Sequence, residues 1–153
     1  MDTHRVDPAT ISVWRWEAMI VVVMLSLGVG AVSLLRFSGP ALLLPLAAVL
    51  IAIVVAWRLP AARYEALDYA VDAAGICIRS GVIWRSHLSL PRARIQHTDV
   101  SQGPLQRRYG VATLKLYTAG SRYTRIDLPG LEYDEAVALR DALTARAGAG
   151  SGV

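Results

Sequence analysis

The sequence predicts an α+β membrane protein, in which a transmembrane hairpin of two helices precedes an antiparallel β-barrel capped by a C-terminal α-helix. Residues 18–35 and 40–57 are each eighteen residues long and contain no charged residue. At about 1.5 Å per residue, each run is just long enough to cross a hydrocarbon core of roughly 30 Å. From residue 64 onward, apolar and polar residues alternate in short runs interrupted by glycine and proline, which is typical of antiparallel strands.

Only four residues, Arg36 to Gly39, join the two apolar runs. Backbone polar groups in lipid must be satisfied within their own segment, so each run is expected to be helical. So short a link makes the two helices antiparallel neighbours. Together, residues 18–57 are therefore expected to form a transmembrane helical hairpin.

Three alternatives to a transmembrane hairpin differ in their support from the sequence. A signal peptide has a short basic start, whereas seventeen residues, three of them acidic, precede the first run. A core helix of a soluble protein normally has a polar stripe, and neither run has one. A re-entrant hairpin that does not cross the bilayer completely stays open, because both runs are short.

Small residues recur at four-residue spacing in both apolar runs. This spacing lets the backbones of two helices approach closely, although alanine is also simply common in apolar helices. If the pattern has a role, these residues form a helix-packing face. They are Ser26 and Gly30 in the first run and Ala48, Ala52 and Ala56 in the second.

The charges that flank the hairpin predict its orientation. Arg58 and Arg63 follow the second run and Arg15 precedes the first, whereas the loop between the runs contains only Arg36. Because basic residues stay on the cytoplasmic side, both termini and the domain after the hairpin are expected to be cytoplasmic. The predicted location is the inner cell membrane, with a multi-pass topology.

Tryptophans mark the same side of the hairpin. Trp14 and Trp16 precede the first run, and Trp57 ends the second. Tryptophan is enriched where membrane and water meet, so these three side chains are predicted to be interfacial anchors on the cytoplasmic side.

The predicted organisation has four parts. Residues 1–17 are a cytoplasmic N-terminal segment, residues 18–57 the hairpin, residues 64–147 a β-rich domain, and residues 148–153 a tail that is disordered by composition. Strands are predicted at residues 67–71, 76–79, 82–90, 95–100, 111–118 and 123–128, a helical turn at residues 105–109, and a helix at residues 132–147.

Three stretches of the domain have a specific sequence. They are LPRARIQHTDV at residues 90–100, GPLQRRYGVATL at residues 103–114 and TAG at residues 118–120. With these stretches the chain resembles the YdbS-like bacterial pleckstrin-homology (PH)-like family, also called the membrane-flanked, DUF304 or bacterial PH type 2 domain. The resemblance covers roughly residues 12–147, nearly the whole chain.

The resemblance implies a fold and a kind of partner, but no activity. Two membrane helices precede one domain in this family, as they do here. The domain is expected to be a seven-stranded, strongly bent antiparallel barrel capped by a C-terminal helix. Family members often look like companions of a larger membrane protein that contains several copies of the same domain.

The leading functional hypothesis is a non-enzymatic, membrane-anchored PH-like module. It would act as a scaffold or assembly subunit with itself or with a larger membrane partner. The alternative is binding of anionic lipid headgroups at the inner leaflet, where each basic residue near the surface contributes about 1 kcal/mol. The candidate contact residues for lipid or partner are Arg92, Arg94, Arg107 and Arg108. The competing explanation is that these arginines organise the fold and satisfy the membrane topology.

Other chemistry has little support in the sequence. His97 and Asp99 lie two residues apart on one strand face and could pair, but an enzyme would also need a nucleophile and a shaped pocket beside them. Thr113 and Ser101 are candidates for the nucleophile by residue type alone, so no catalytic residue is assigned. His87 and His97 lack a third metal ligand, and neither a metal nor a cofactor is expected. The net charge of +4 is modest and is largely explained by membrane topology, so nucleic acid is not an expected partner.

Overall fold

The computed structural model describes residues 3–36, 39–72, 74–118 and 125–144. The chain divides into two compact units. The hairpin unit is Ile11–Ala62, and the domain unit combines Met1–Thr10 with Arg63–Val153. The predicted tail at residues 148–153 lies outside the described residues.

The hairpin unit consists of two long apolar helices. Helix α1 spans Ala9–Arg36 and helix α2 spans Leu43–Glu65, preceded by a 3-10 turn at Gly39–Leu42. Only 6% of the most apolar eighteen-residue window of α1 is buried, and 11% of that of α2. Because a core helix of a soluble protein would be mostly buried, this exposure is what membrane-spanning helices require.

Both helices extend beyond the apolar runs. Helix α1 begins nine residues before the first run, where the Ala9 amide donates to the Asp7 carboxylate at 2.7 Å and the Thr10 amide donates to the Asp7 carbonyl at 3.1 Å. An aspartate in this position satisfies amide groups that the first helical turn cannot pair internally. Helix α2 continues through Pro60 to Glu65.

The domain unit contains two antiparallel sheets and a C-terminal helix. In each sheet, neighbouring strands follow one another in chain order. The first sheet contains β1 (Thr3–Arg5), β2 (Asp68–Val71), β3 (Gly75–Ser80) and β4 (Ser86–Pro91). The second contains β5 (Ile95–Ser101), β6 (Val111–Thr118) and β7 (Arg125–Glu132). A 3-10 turn at Arg92–Arg94 joins the sheets, helix α3 (Pro104–Arg108) joins β5 to β6, and α4 spans Tyr133–Thr144.

Strand β1 is the main difference from the predicted organisation. It precedes the hairpin in sequence and pairs with β2, which follows the hairpin, with Thr3 opposite Ala70 and Arg5 opposite Asp68. The sequence pattern predicts a separate segment at residues 1–17, because a three-residue strand is too short to show alternation. The hairpin is thus inserted between the first two strands of the domain.

Residues after β1 reinforce this attachment. Val6 is buried, with 1% of its surface exposed. The Asp7 amide donates to the Gly130 carbonyl at 2.7 Å, and the buried Thr10 hydroxyl donates to the same oxygen at 3.2 Å. Cleavage of a signal peptide would remove this part of the fold, which argues against that alternative.

Closure of the predicted barrel is not observed. The seven described strands, which include β1 outside residues 12–147 that the resemblance covers, form two separate sheets and no closed one. The turn at Arg92–Arg94 lies between β4 and β5, which do not pair. Strands β1 and β7 also belong to different sheets. The hydrogen bond from the Asp7 amide to the Gly130 carbonyl lies beyond Arg5, where β1 ends.

Two other strand boundaries also differ. The run at residues 82–90 begins as a loop, and the strand starts only at Ser86. Strand β7 continues through Pro129 and Gly130 to Glu132, although these two residues were expected to end it. A register shift between Ala112 and Thr113 accommodates them, and proline is tolerated in a strand at the edge of a sheet or at a bulge.

The core lies between α4 and the sheets. Helix α4 packs on β5, β6 and β7, and the Tyr69 hydroxyl donates to the Glu135 carboxylate, which joins the start of α4 to the first sheet. Burial, and then the bond to Glu135, raise the pKa of Tyr69. The fully buried large side chains of the domain include Ile76, Val111, Leu114, Leu116, Leu128, Leu131 and Leu143.

The close contact between Thr10 and Gly130 predicts that adding one methyl group at Gly130 destabilises the fold. Gly130 has φ +86, and an added Cβ would lie 2.5 Å from Thr10 Oγ1 and 2.8 Å from Thr10 Cγ2. Gly130→Ala is expected to destabilise the full chain by about 1–3 kcal/mol, measured as a lower thermal midpoint by circular dichroism in detergent.

Gly110→Ala is the matched control, because Gly110 has φ +71 but open space at its Cβ position. It is expected to cost about 1–2 kcal/mol through backbone strain alone. Adding Thr10→Ala to Gly130→Ala should recover part of the loss, because it removes the two closest atoms. Equal effects at the two glycines, with no recovery, would contradict the contact.

Candidate binding surface at the hairpin end of the domain

The strand register defines two ends of the four-stranded sheet. Arg5, Asp68, Arg79 and His87 lie side by side on neighbouring strands. The chain leaves for α1 after Arg5 and returns from α2 just before Asp68, so this row marks the end of the sheet to which the hairpin is joined. We call it the hairpin end. The opposite end, where Gly75 faces Pro91, is the far end.

Arg92 and Arg94 lie at the far end, directly after β4. The Arg92 guanidinium donates to the Ala142 carbonyl at 3.3 Å near the end of α4, and the Arg92 amide donates to the Ala74 carbonyl at 3.0 Å. Its Nε atom is buried and has no partner among the described residues. Arg94 is exposed. Arg92 therefore has a structural contact that joins the sheet to the helix.

Arg107 and Arg108 lie on α3 and are exposed. They form no salt bridge with any residue in the described part of the chain. A positive charge on an exposed helix, without an acidic partner, is available to a ligand or to another protein.

Side-chain amides fix α3 against the neighbouring strands. The Gln106 amide group donates to the Thr113 hydroxyl at 2.9 Å and accepts from the Gly103 amide at 2.9 Å. The Gln102 side chain donates to the Val111 carbonyl at 3.0 Å. These contacts hold α3 beside the start of β6.

The start of β6 belongs to the hairpin end. Val111 pairs with Glu132 at the end of β7, two residues from the Gly130 carbonyl that accepts from Asp7. The four candidate arginines therefore do not form one site. Arg107 and Arg108 lie at the hairpin end, whereas Arg92 and Arg94 lie at the far end.

The predicted interfacial anchors are partly exposed. Trp16 and Trp57 are exposed and Trp14 is half-buried. The Arg15 guanidinium lies 4.6 Å from the centre of the Trp57 ring and donates from Nε to the Trp57 carbonyl at 3.3 Å. This pair joins α1 to α2. A cation over an indole ring is a favourable contact, and both side chains suit a membrane interface.

The predicted helix-packing residues differ in exposure. Ala56 is buried, Ser26, Gly30 and Ala52 are half-buried, and Ala48 is exposed. The Ser26 hydroxyl donates to the Val22 carbonyl of its own helix at 2.6 Å. An added Cβ at Gly30 would meet nothing within 4 Å. No residue in the described ranges fills the space beside Gly30, and a packing role for these residues stays a prediction.

His97 and Asp99 are exposed and face different neighbours. The His97 ring lies 5.8 Å from the ring of Tyr117, its partner on β6, and Asp99 is opposite Lys115. The residues described by the structure contain no group of three metal-ligating side chains. The geometry gives this pair ordinary positions on a polar sheet face.

Two features of the domain do not follow from the sequence pattern. One is the short strand β1. The other is the loop Gly81–Arg85 at the hairpin end, where the pattern predicts a strand from residue 82. Its tip exposes Ile83 and Trp84 almost completely. The break at Ser80-Gly81 and the charge of Arg85 were the available signals for a loop here.

Comparisons with known proteins agree with the resemblance seen in the sequence. A sequence model described as Bacterial PH domain matches residues 18–147. The chain is also 33% identical over 149 residues to UPF0699 transmembrane protein YdbS of Bacillus subtilis (strain 168), an alignment that covers 92% of this chain and 90% of that protein. No solved structure gives a significant match. The similarity to a transmembrane protein also supports membrane association of α1 and α2.

The different contacts of Arg92 and Arg94 predict different effects on stability. Arg92→Ala removes the bond to the Ala142 carbonyl and is expected to destabilise the full chain by about 1 kcal/mol. Arg94→Ala removes an exposed charge and should change stability by less than about 0.5 kcal/mol. Thermal unfolding of both variants in detergent checks this. Equal losses, or a larger loss for Arg94→Ala, would contradict the assigned role of Arg92.

Proposed function

Because the chain belongs to the bacterial PH domain family, we propose that it is a membrane-anchored PH-like interaction module without catalytic activity. It assembles in the membrane with a second copy of itself or with a larger membrane protein that carries the same kind of domain. The observation that supports this most is the insertion of the hairpin between β1 and β2. The chain connects the domain to the hairpin at two points, so both connections hold the domain at the membrane.

The same pairing supports a topology. Strands β1 and β2 can pair only if both ends of the hairpin emerge on the same side of the membrane. Arg58 and Arg63 follow the second apolar run, so the positive-inside rule assigns that side to the cytoplasm. In this proposal both termini and the domain are cytoplasmic, and the chain crosses the inner membrane twice.

The exposed surface of the hairpin supports assembly. A pair of helices leaves most of its apolar surface to lipid or to other helices, and the open space beside Gly30 allows a neighbouring backbone to approach. Large exposed apolar side chains such as Leu27 and Leu34 surround this face. A second copy, or a helix of a larger partner, can pack there.

A second candidate function is binding of anionic lipid headgroups. It is favoured by Arg107 and Arg108, which are exposed, lack salt-bridge partners among the described residues and lie at the hairpin end. Arg92 and Arg94 are less suited to this role, because they lie at the far end of the sheet. The two functions are separable by experiment.

Assembly is tested with the full-length chain in vesicles, by energy transfer between copies labelled at Ala93→Cys in a Cys77→Ser background. Gly30→Leu is expected to reduce the transfer, because it fills the open space on α1. Gly28→Leu is the matched control, since Gly28 is also open but lies on another face of the helix. Equal energy transfer in the labelled parent chain, Gly30→Leu and Gly28→Leu would show that assembly does not use the face of α1 that contains Gly30.

Lipid binding is tested by hydrogen exchange of α3 in nanodiscs with and without anionic lipid. If headgroups bind there, the lipid slows exchange at residues 104–108, salt reverses the effect, and Arg107→Ala/Arg108→Ala abolishes it. Arg94→Ala is the control and should behave as the unmodified chain does. If exchange does not respond to anionic lipid while energy transfer persists, assembly stands and the headgroup function falls.

A further inference from the structure

The loop Gly81–Arg85 is an apolar tip on an otherwise ordinary β-hairpin. It joins β3 to β4 directly after the pair Ser80 and Ser86. Trp84 is 88% exposed, Ile83 is 85% exposed and Val82 is 40% exposed. Three neighbouring large apolar side chains held in water are unfavourable, and contiguous exposed apolar patches commonly mark a membrane or protein contact.

The loop is shaped by its first residue. Gly81 has φ +110, and an added Cβ would lie 1.8 Å from the Trp84 carbonyl oxygen. Only glycine can occupy this position without moving the backbone, because the chain folds back over it. This tight turn places Ile83 and Trp84 at the tip of the loop, rather than against the core.

The strand register places this tip at the hairpin end. Arg79, one residue before the end of β3, lies in the same row as Arg5 and Asp68. The chain enters α1 shortly after Arg5 and leaves α2 shortly before Asp68. The loop therefore extends from the end of the sheet at which the chain continues into both membrane helices.

The positive charges beside the loop favour lipid over protein as its binding partner. Exposed Arg79 and Arg85 flank the apolar tip, and neither forms a salt bridge within the described ranges. Tryptophan with a neighbouring aliphatic side chain suits the boundary between headgroups and acyl chains, and flanking arginines suit the phosphates. An apolar protein surface would leave the cations on both sides of the tip unpaired.

We propose that the loop Gly81–Arg85 is an interfacial anchor: Ile83 and Trp84 insert into the headgroup boundary of the bilayer that the hairpin spans, and Arg79 and Arg85 bind phosphate groups of anionic lipid. The anchor gives the domain a third attachment to the membrane, besides its two connections to the helices. The inference depends on the membrane anchoring in the proposed function, but not on assembly.

The test uses tryptophan quenching by brominated lipids in vesicles of phosphatidylcholine and phosphatidylglycerol. A full-length variant with Trp14→Phe, Trp16→Phe and Trp57→Phe retains only Trp84. Its emission is expected to fall when the bromines lie high on the acyl chain. The control variant carries Trp84→Phe as well and places its only tryptophan at the far end by Ala93→Trp; its emission should not change.

A third variant that retains only Trp57 distinguishes the possible failures. If Trp57 is quenched and Trp84 is not, the anchor is refuted while the membrane anchoring stands. If neither is quenched, both are refuted. Quenching of the Ala93→Trp control to the same extent would refute a specific anchor, as would protection of Trp84 from iodide without quenching by brominated lipid, since another protein surface would then cover it.

A second measurement avoids replacing three tryptophans. A spin label on Ile83→Cys in a Cys77→Ser background reports the depth of the loop. Relaxation is expected to be stronger with oxygen, which concentrates in lipid, than with a water-soluble nickel complex. The opposite ratio, equal to that of a label on Ala93→Cys, would overturn the proposal.

Discussion

The pairing of β1 with β2 is the constraint on which the rest of the structure depends. Sixty-two residues, including the entire apolar hairpin, separate Arg5 from Asp68, yet the two lie opposite each other in one sheet. Closing so long a loop has an entropic cost that grows only slowly with its length. The bond from Asp7 to Gly130 and the burial of Val6 add further contacts. The PH-like domain is thus assembled from segments that precede and follow the apolar hairpin in sequence.

This arrangement connects the fold to the proposed function. A domain that follows its anchor in sequence has one connection to it, whereas this domain has two, one after β1 and one before β2. Strand register places Arg107, Arg108 and the loop Gly81–Arg85 at the same end of the domain as both of its connections to the hairpin. It places Arg94 at the far end of the sheet, away from the two connections.

The sequence predicted the fold wherever the signal was local. The two apolar runs, most strands and the final helix follow from periodicity, and the family follows from residues 90–120. What failed depends on contacts between distant residues. Three residues of β1 have no periodicity of their own, and barrel closure is decided by whether β4 pairs with β5. The grouping of four arginines by sequence motif could not show that Arg92 is bound to the end of α4.

The most direct test of the central claim is a disulfide across β1 and β2. Arg5→Cys/Asp68→Cys in a Cys77→Ser chain with a protease site in the loop between the helices should oxidise readily in membranes. Its two fragments should then stay joined after cleavage, since paired strands meet the distance limits of a disulfide. Arg79→Cys/His87→Cys is the positive control within one β-hairpin. Formation of the control disulfide without the one between residues 5 and 68 would contradict the account.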